Sequence, residues 1–384
     1  ERHAGRAGRN TEMKDDRAWM QLAIREAKKG LGRTSPNPCV GAVVVKNNRL
    51  IATGFHAKAG TPHAEVHALR AAGAKARGAT IYVTLEPCNH TGRTPPCTQA
   101  ILAAGIKRVV VGMLDPNPLV AGGGCKTLAA QGVEVTQGVL AEECRSLNRP
   151  FTKHVTTGLP WVIMKAGMSL DGRLALASGQ CAWITNEQSR RQVHRLRDRV
   201  DAILIGSETA LCDDPALTTR LSGRKGRDPL RVVLDTALRL PVSAKMLQQG
   251  SDTPTWIFCG PDAEVKRAEA LVEAGAVIKQ VRLDEAGQLD LAAVLCELGR
   301  AQLNSVLVEG GSRVHTAFLR ANLVDEVNIF VAPIFLGSDG VPLVDTLGVQ
   351  QVTVAPRFST TKVRRFGNDV LIEGLMEKQL IAGS

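Results

Sequence analysis

The chain has 384 residues, 44% of them apolar and 22% charged, and a formal net charge of +11. That length exceeds one ordinary core and favours two domains, while the lack of an apolar run of about 18 residues and of a signal-peptide core argues against a membrane span or secretion and for a cytoplasmic protein. One Tyr, four Trp and eight Phe leave little surface for stacking bases, so the positive charge points to small phosphorylated molecules rather than to nucleic acid.

Residues 1–12, with three arginines and no periodic apolar positions, read as an extension outside the fold. A helix is predicted over Lys14 to Gly30, with Trp19, Leu22, Ala23 and Ala27 at helical spacing. Strands over Cys39 to Val45 and Leu50 to Phe55, joined through Asn47-Asn48, predict a hairpin. Pro62 then opens a helix over His63 to Ala72. A strand over Thr80 to Leu85, a helix over Gln99 to Ala103 and a strand over Arg108 to Gly112 lead to the loop Asp115-Pro116-Asn117-Pro118. A helix over Leu128 to Gln131, a short strand over Val133 to Thr136 and a helix over Ala141 to Asn148 complete a three-layer α/β/α domain spanning residues 13–155. After the connector Thr156 to Pro160 a second α/β domain is expected over residues 156–376, with 377–384 as a tail.

Within the first domain His63, Cys88 and Cys97 supply the three protein ligands of a catalytic zinc, whose open fourth position takes a water with a pKa near 7. Glu65 is then free to move protons between that water and a substrate nitrogen, the division of labour of zinc deaminases. A lone buried histidine or cysteine is ordinarily a packing residue, so the weight rests on the joint pattern. His67, one helical turn after His63, competes as a ligand, but Cys88 and Cys97 already complete the set. The other cysteines of the nine read as reduced packing residues. Two residues apart on an ideal helix, His63 and Glu65 would face nearly opposite ways, so irregular geometry is expected at that helix start. In the second domain Val306 to Ser312 is a strand running into a glycine pair at a helix start, a candidate phosphate or dinucleotide cradle without the usual Gly-x-Gly-x-x-Gly fingerprint.

His-Ala-Glu-Val-His-Ala from His63, with Glu-Pro-Cys-Asn-His-Thr-Gly-Arg-Thr-Pro-Pro-Cys from Glu86, resembles the bifunctional riboflavin-biosynthesis deaminase/reductase family. The resemblance continues through Asp115-Pro116-Asn117-Pro118, Ser169-Leu170-Asp171-Gly172-Arg173, Trp183-Ile184-Thr185, Asp213-Asp214-Pro215 and Val308-Glu309-Gly310-Gly311, and covers residues 13 to 376. Its eight-residue gap between Cys88 and Cys97 differs from the Cys-x-x-Cys of cytidine and tRNA deaminases.

The resemblance implies a cytidine-deaminase-like domain acting on 2,5-diamino-6-(5-phospho-ribosylamino)pyrimidin-4-one, then a dihydrofolate-reductase-like domain that uses NADPH to turn the ribosyl group into ribityl. It implies Asn37, His56, His90 and Arg93 for the pyrimidine and its phosphate. For the reductase it implies Gly167, Trp183, Thr209, Asp213, Thr236, Gly311, Ser312, Arg313, Val314, His315, Thr316 and Ala317 on NADPH. The substrate is left to Cys181, Arg197, Leu217, Arg220 and Glu309, with the two arginines suited to a phosphate. Lys165 and Asp213 are the polar residues expected nearest the reductive chemistry. A homo-oligomer is implied as well. One competing reading keeps a single working site with the other half as scaffold. Another is a nucleic-acid-editing zinc deaminase with a non-catalytic C-terminal domain.

Overall fold

The computed structural model of the chain describes residues 15–90, 95–118, 120, 123–178 and 184–377. The side chain of Asp15 accepts from Ala18 N and starts helix α1, Asp16–Ala27, which buries Trp19, Met20, Ala23 and Ile24. Strands β1 (Gly41–Lys46) and β2 (Arg49–Phe55) form the expected hairpin, Asn47 and Asn48 both taking positive φ in its two-residue turn. There follow α2 (Ala64–Ala72), β3 (Thr80–Leu85), α3 (Cys97–Ala103), β4 (Arg108–Met113), α4 (Gly123–Ala130), β5 (Glu134–Gln137), α5 (Ala141–Leu147) and α6 (Arg149–Thr157). The five strands lie in the order β2-β1-β3-β4-β5, with β1 antiparallel to its neighbours and β3, β4 and β5 parallel. At Gly54 a Cβ would lie 2.4 Å from the carbonyl oxygen of Ala64, so glycine there lets α2 lie directly on β2. That close approach fixes where the start of α2 sits.

The chain divides between Thr156 and Thr157 into two compact units. The second contains β6 (Trp161–Ser169), β7 (Arg173–Ala175), α7 (Glu187–Arg197), β8 (Ala202–Gly206), α8 (Ser207–Asp213), β9 (Leu230–Leu234), β10 (Thr255–Cys259), α9 (Val265–Glu273) and β11 (Ala276–Gln280). It continues through α10 (Leu291–Arg300), β12 (Ser305–Gly310), α11 (Ser312–Arg320), β13 (Glu326–Ala332), β14 (Val341–Pro342), β15 (Phe358–Phe366) and β16 (Asp369–Met376). Nine strands make one sheet in the order β11-β10-β9-β8-β12-β6-β13-β16-β15, parallel from β11 to β13 and antiparallel beyond. β8 is apolar along its whole length because both its faces are covered. Ala202 and Leu204 join one hydrophobic cluster and Ile203 and Ile205 another. Among the described residues no helix is long and apolar enough to cross a membrane.

Several elements escape the sequence pattern. α6 buries His154 alone, so it has no apolar stripe for periodicity to detect. α8 is short and mostly exposed, and the β15–β16 hairpin lies beyond Glu326 to Val331, the last strand that the residue pattern predicts. The helix expected from Leu128 begins at Gly123, because Gly-Gly-Cys reads as loop although it forms the first turn of α4.

Buried carboxylates stitch the second unit together. Asp201 is 5% exposed and accepts from Asn304 N at 3.0 Å, Ser305 N at 3.1 Å, Ser305 Oγ at 3.0 Å and Arg227 Nη2 at 3.2 Å. Asp201→Ala leaves those donors without their acceptor and is expected to destabilise this unit by about 3 kcal/mol, read as a lowered midpoint in urea unfolding.

Candidate active sites

The first site is assembled at the edges of three elements. His63 is the N-cap of α2, in an extended conformation at φ −73° and ψ 165°, which is the irregular geometry that allows His63 and Glu65 to face one place. Cys88 hangs just past the end of β3, and Cys97 opens α3. His63 Nδ1 lies 3.2 Å from Cys97 Sγ and 3.5 Å from Cys88 Sγ, and Cys97 N donates to Cys88 Sγ at 3.4 Å. Tetrahedral zinc, with Zn–S about 2.3 Å and Zn–N about 2.0 Å, separates a nitrogen from a sulfur ligand by about 3.5 Å, so the three donors fit the ion. All three ligand atoms lie within 4.8 Å of one another, and His67 is outside the group.

Proton sharing within the group points the same way. The hydrogen bond from Cys97 does most to bring the Cys88 thiol down to about 4, against its burial and with help from His63. The same bond, together with burial, pushes the Cys97 thiol up. Two sulfurs thus compete for one negative charge, a competition that a divalent cation ends by holding both as thiolates. Beside them Glu65 is 3% exposed, and burial pushes its carboxyl up to about 7 against the pull of His63.

Of the residues expected around this centre, His56 is buried, with Nε2 at 3.2 Å from Asn37 Nδ2 and Nδ1 at 3.2 Å from the carbonyl oxygen of Pro62. Its ring meets that of His63 edge to face at 5.4 Å between centroids. His90 is exposed, and Arg93 lies outside the described residues.

The second site lies at the C-terminal ends of β6, β8 and β12, where open parallel sheets hold their ligands. The register pairs Val308 with Met164, which places Glu309 and Lys165 next to each other on adjacent strands. A bulge between Val308 and Gly310, opposite β8, turns Glu309 out of the ladder. Its carboxylate receives Arg197 Nε at 2.7 Å and Nη2 at 2.8 Å, and Lys165 Nζ at 3.2 Å. Burial opposes the charge on Glu309, but Arg197 and Lys165 outweigh it and hold the carboxyl below the usual range.

Arg197 also donates Nη1 to Thr218 O at 3.1 Å. Those bonds use three of the five guanidinium N–H groups and leave one each on Nη1 and Nη2; Arg220 is the exposed arginine of the pair. Leu217 is buried in a hydrophobic cluster at φ +51°. Asp213 is the exposed last residue of α8. Cys181 and Trp183 lie outside the described residues.

Gly311 is the N-cap of α11, and Gly310 before it takes φ +111°, a conformation that favours glycine. Thr209 lies 3.2 Å from where a Gly311 Cβ would stand, and Thr185 3.1 Å from the same point on Gly167, so these glycines keep the backbone accessible. Along α11 Arg313 and Ala317 are exposed and Ser312 and Val314 partly so, whereas His315 and Thr316 point into the protein. Thr236 lines an open cavity of about 320 Å³ together with Gly260, Asp262, Arg267 and Leu283, at the ends of β9 and β10. His194, which no sequence motif marked, accepts from Arg220 N at 3.2 Å. Its spacing of three from Arg197 on α7 was the available signal.

A cytidine-deaminase type of zinc centre on one α/β unit, followed by a mostly parallel α/β unit with a basic, glycine-lined site, defines a deaminase joined to a reductase. Residues 13–113 match the cytidine and deoxycytidylate deaminase zinc-binding region, and residues 160–372 match the RibD C-terminal domain. The chain is 42% identical to the riboflavin biosynthesis protein RibD of Escherichia coli over 93% of this chain and 98% of that one, and 43% identical to that of Aquifex aeolicus over 93% and 97%. Its fold superposes on RibD of Acinetobacter baumannii with a TM-score of 0.85 at 39% identity, covering 95% and 100% of the two chains. The corresponding values are 0.81, 38%, 95% and 99% for a diaminohydroxyphosphoribosylaminopyrimidine deaminase/5-amino-6-(5-phosphoribosylamino)uracil reductase from Thermotoga maritima. The chain belongs to the RibD family of riboflavin-biosynthesis deaminase/reductases.

Burial, then the charges of Arg197 and Arg220, brings His194 down to about 4, and burial brings His315 to about the same value. Both lie below the ordinary histidine value of about 6.5, so their contribution to stability is complete above about pH 6.5 and is lost as pH falls towards 4. The melting temperature of the second unit is expected to fall across that window, and His194→Gln to flatten the fall, as followed by calorimetry.

Proposed function

We propose that this chain carries out two consecutive steps: hydrolytic deamination of 2,5-diamino-6-(5-phospho-ribosylamino)pyrimidin-4-one in its first unit, then NADPH-dependent reduction of the ribosyl to the ribityl side chain in its second. The observation that carries this reading is the convergence of His63, Cys88 and Cys97 beside the buried carboxyl of Glu65. Membership in the RibD family decides against the nucleic-acid-editing alternative.

Zinc held by His63, Cys88 and Cys97 would supply an acidified water at the open position. Glu65 accepts the proton of the attacking water and returns it to the leaving amine; a carboxyl near 7 suits both roles at neutral pH. Asn37 and His56, which orient each other, hold the pyrimidine, and His90 with Arg93 serves its phosphate end. The burial of Glu65 keeps bulk water from the proton transfer.

NADPH would supply the hydride in the second unit. The backbone at Gly311 and the start of α11 faces its phosphates, Gly167 and Thr209 flank it, and the cavity at Thr236 accepts its adenosine end. Glu309 fixes the ammonium of Lys165 at the opened sugar, and Arg220 serves the substrate phosphate. The same family reading extends to assembly as a homo-oligomer in the cytoplasm, which sedimentation of the purified chain tests for its first part.

A coupled assay with the diaminopyrimidine ribotide, following ammonia and NADPH together, tests the scheme, and zinc analysis should give about one atom per chain. Glu65→Gln is expected to lower ammonia release by at least about 100-fold while leaving NADPH oxidation on the deaminated ribotide intact. Glu309→Gln is expected to do the reverse, slowing NADPH oxidation by roughly 10- to 100-fold, because Lys165 and Arg197 lose the charge that places them.

A further inference from the structure

Glu86 follows β3 two residues before Cys88 and is 3% exposed, yet neither chemical step uses it. Its carboxylate bridges two separate pieces of backbone. Oε2 accepts from Asp115 N at 3.2 Å, in the loop after β4, and Oε1 accepts from Cys125 N at 3.0 Å, in the first turn of α4. The Cys125 N–H belongs to the set that has no acceptor inside its own helix. Glu86 N in turn donates to Met113 O at 2.9 Å, so the residue is tied at backbone and side chain alike.

On the other side of Cys88, Asn89 donates to Thr127 Oγ1 at 2.8 Å and accepts from Thr98 Oγ1 at 2.8 Å. Cys88 is thus braced from both flanks against α4. The packing leaves no slack: a Cβ on Gly124 would stand 1.9 Å from the carbonyl oxygen of Pro87. Asp115, whose amide Glu86 holds, keeps Oδ1 on Asn117 N at 2.9 Å and sets its carboxylate within electrostatic reach of Cys88 and His90.

We infer that Glu86 is a positioning residue for the deamination, acting through Cys88 on the metal side and through Asp115 on the substrate side. The inference rests on the deaminase reading of the first unit. The carboxylate is required because two N–H donors face it. Glutamine, of nearly the same shape, turns an amide donor towards one of them and leaves it unsatisfied.

The test uses the full-length chain with zinc. Glu86→Gln should lower kcat/KM for ammonia release by roughly 10- to 100-fold and speed zinc loss to a chelator, while NADPH oxidation on the deaminated ribotide stays within about twofold of the parent. An unaltered rate of zinc loss together with unaltered deamination overturns the inference. A parent chain that releases no ammonia overturns the deaminase reading instead. Should Glu86→Gln unfold the first unit, Asp115→Ala tests the substrate-side arm, since both Glu86 hydrogen bonds use backbone amides that this change leaves in place. It should raise KM for the diaminopyrimidine ribotide by about tenfold at parental zinc retention, because the loop after β4 loses the carboxylate that accepts from Asn117 N, and an unchanged KM overturns the inference.

Discussion

His63, Cys88 and Cys97 belong to three elements that share no sequence neighbourhood, and the distances between their donor atoms are what the rest of the first unit is built to hold. β3 runs in the middle of its sheet, so both faces are packed and its end cannot drift. α2 is pressed onto β2 at Gly54, which sets the position of His63, and α3 begins at the ligand itself. The hydrogen bond between Cys88 and Cys97 moves the Cys88 thiol down and the Cys97 thiol up, as expected of two sulfurs held close enough to share a proton.

The second unit meets a different constraint with a similar plan. A carboxylate as buried as that of Glu309 is tolerated because two cations face it, and breaking such an arrangement costs more than making it gains. The bulge in β12 that turns Glu309 outward lies directly before the glycine pair that opens α11, so one irregular strand end serves both the ion cluster and the cradle. In both units the chemistry gathers where strands stop, because there backbone and side chains escape the hydrogen-bond ladder.

Much of this was legible in the residues. The zinc ligands and Glu65 stand in a pattern whose chemistry requires those residue types, and the buried strands announce themselves by β-branched runs. The remainder depends on contacts that sequence spacing cannot carry. Glu309 finds Arg197 across 112 positions, and nothing local shows that this arginine meets a carboxylate. His315 sits inside a stretch that reads as a cofactor loop, yet helical geometry turns it inward while Arg313, two residues earlier, stays outside. α6 and α8 have too little apolar surface to announce themselves.

Each of the two compact units that divide between Thr156 and Thr157 has hydrophobic clusters of its own. A melting curve followed by one probe therefore reports the half that carries that probe. Genetic damage inherits the same division: a cavity opened in one half can extinguish one reaction and leave its companion turning over at full rate, so that a damaged chain accumulates an intermediate instead of simply falling silent.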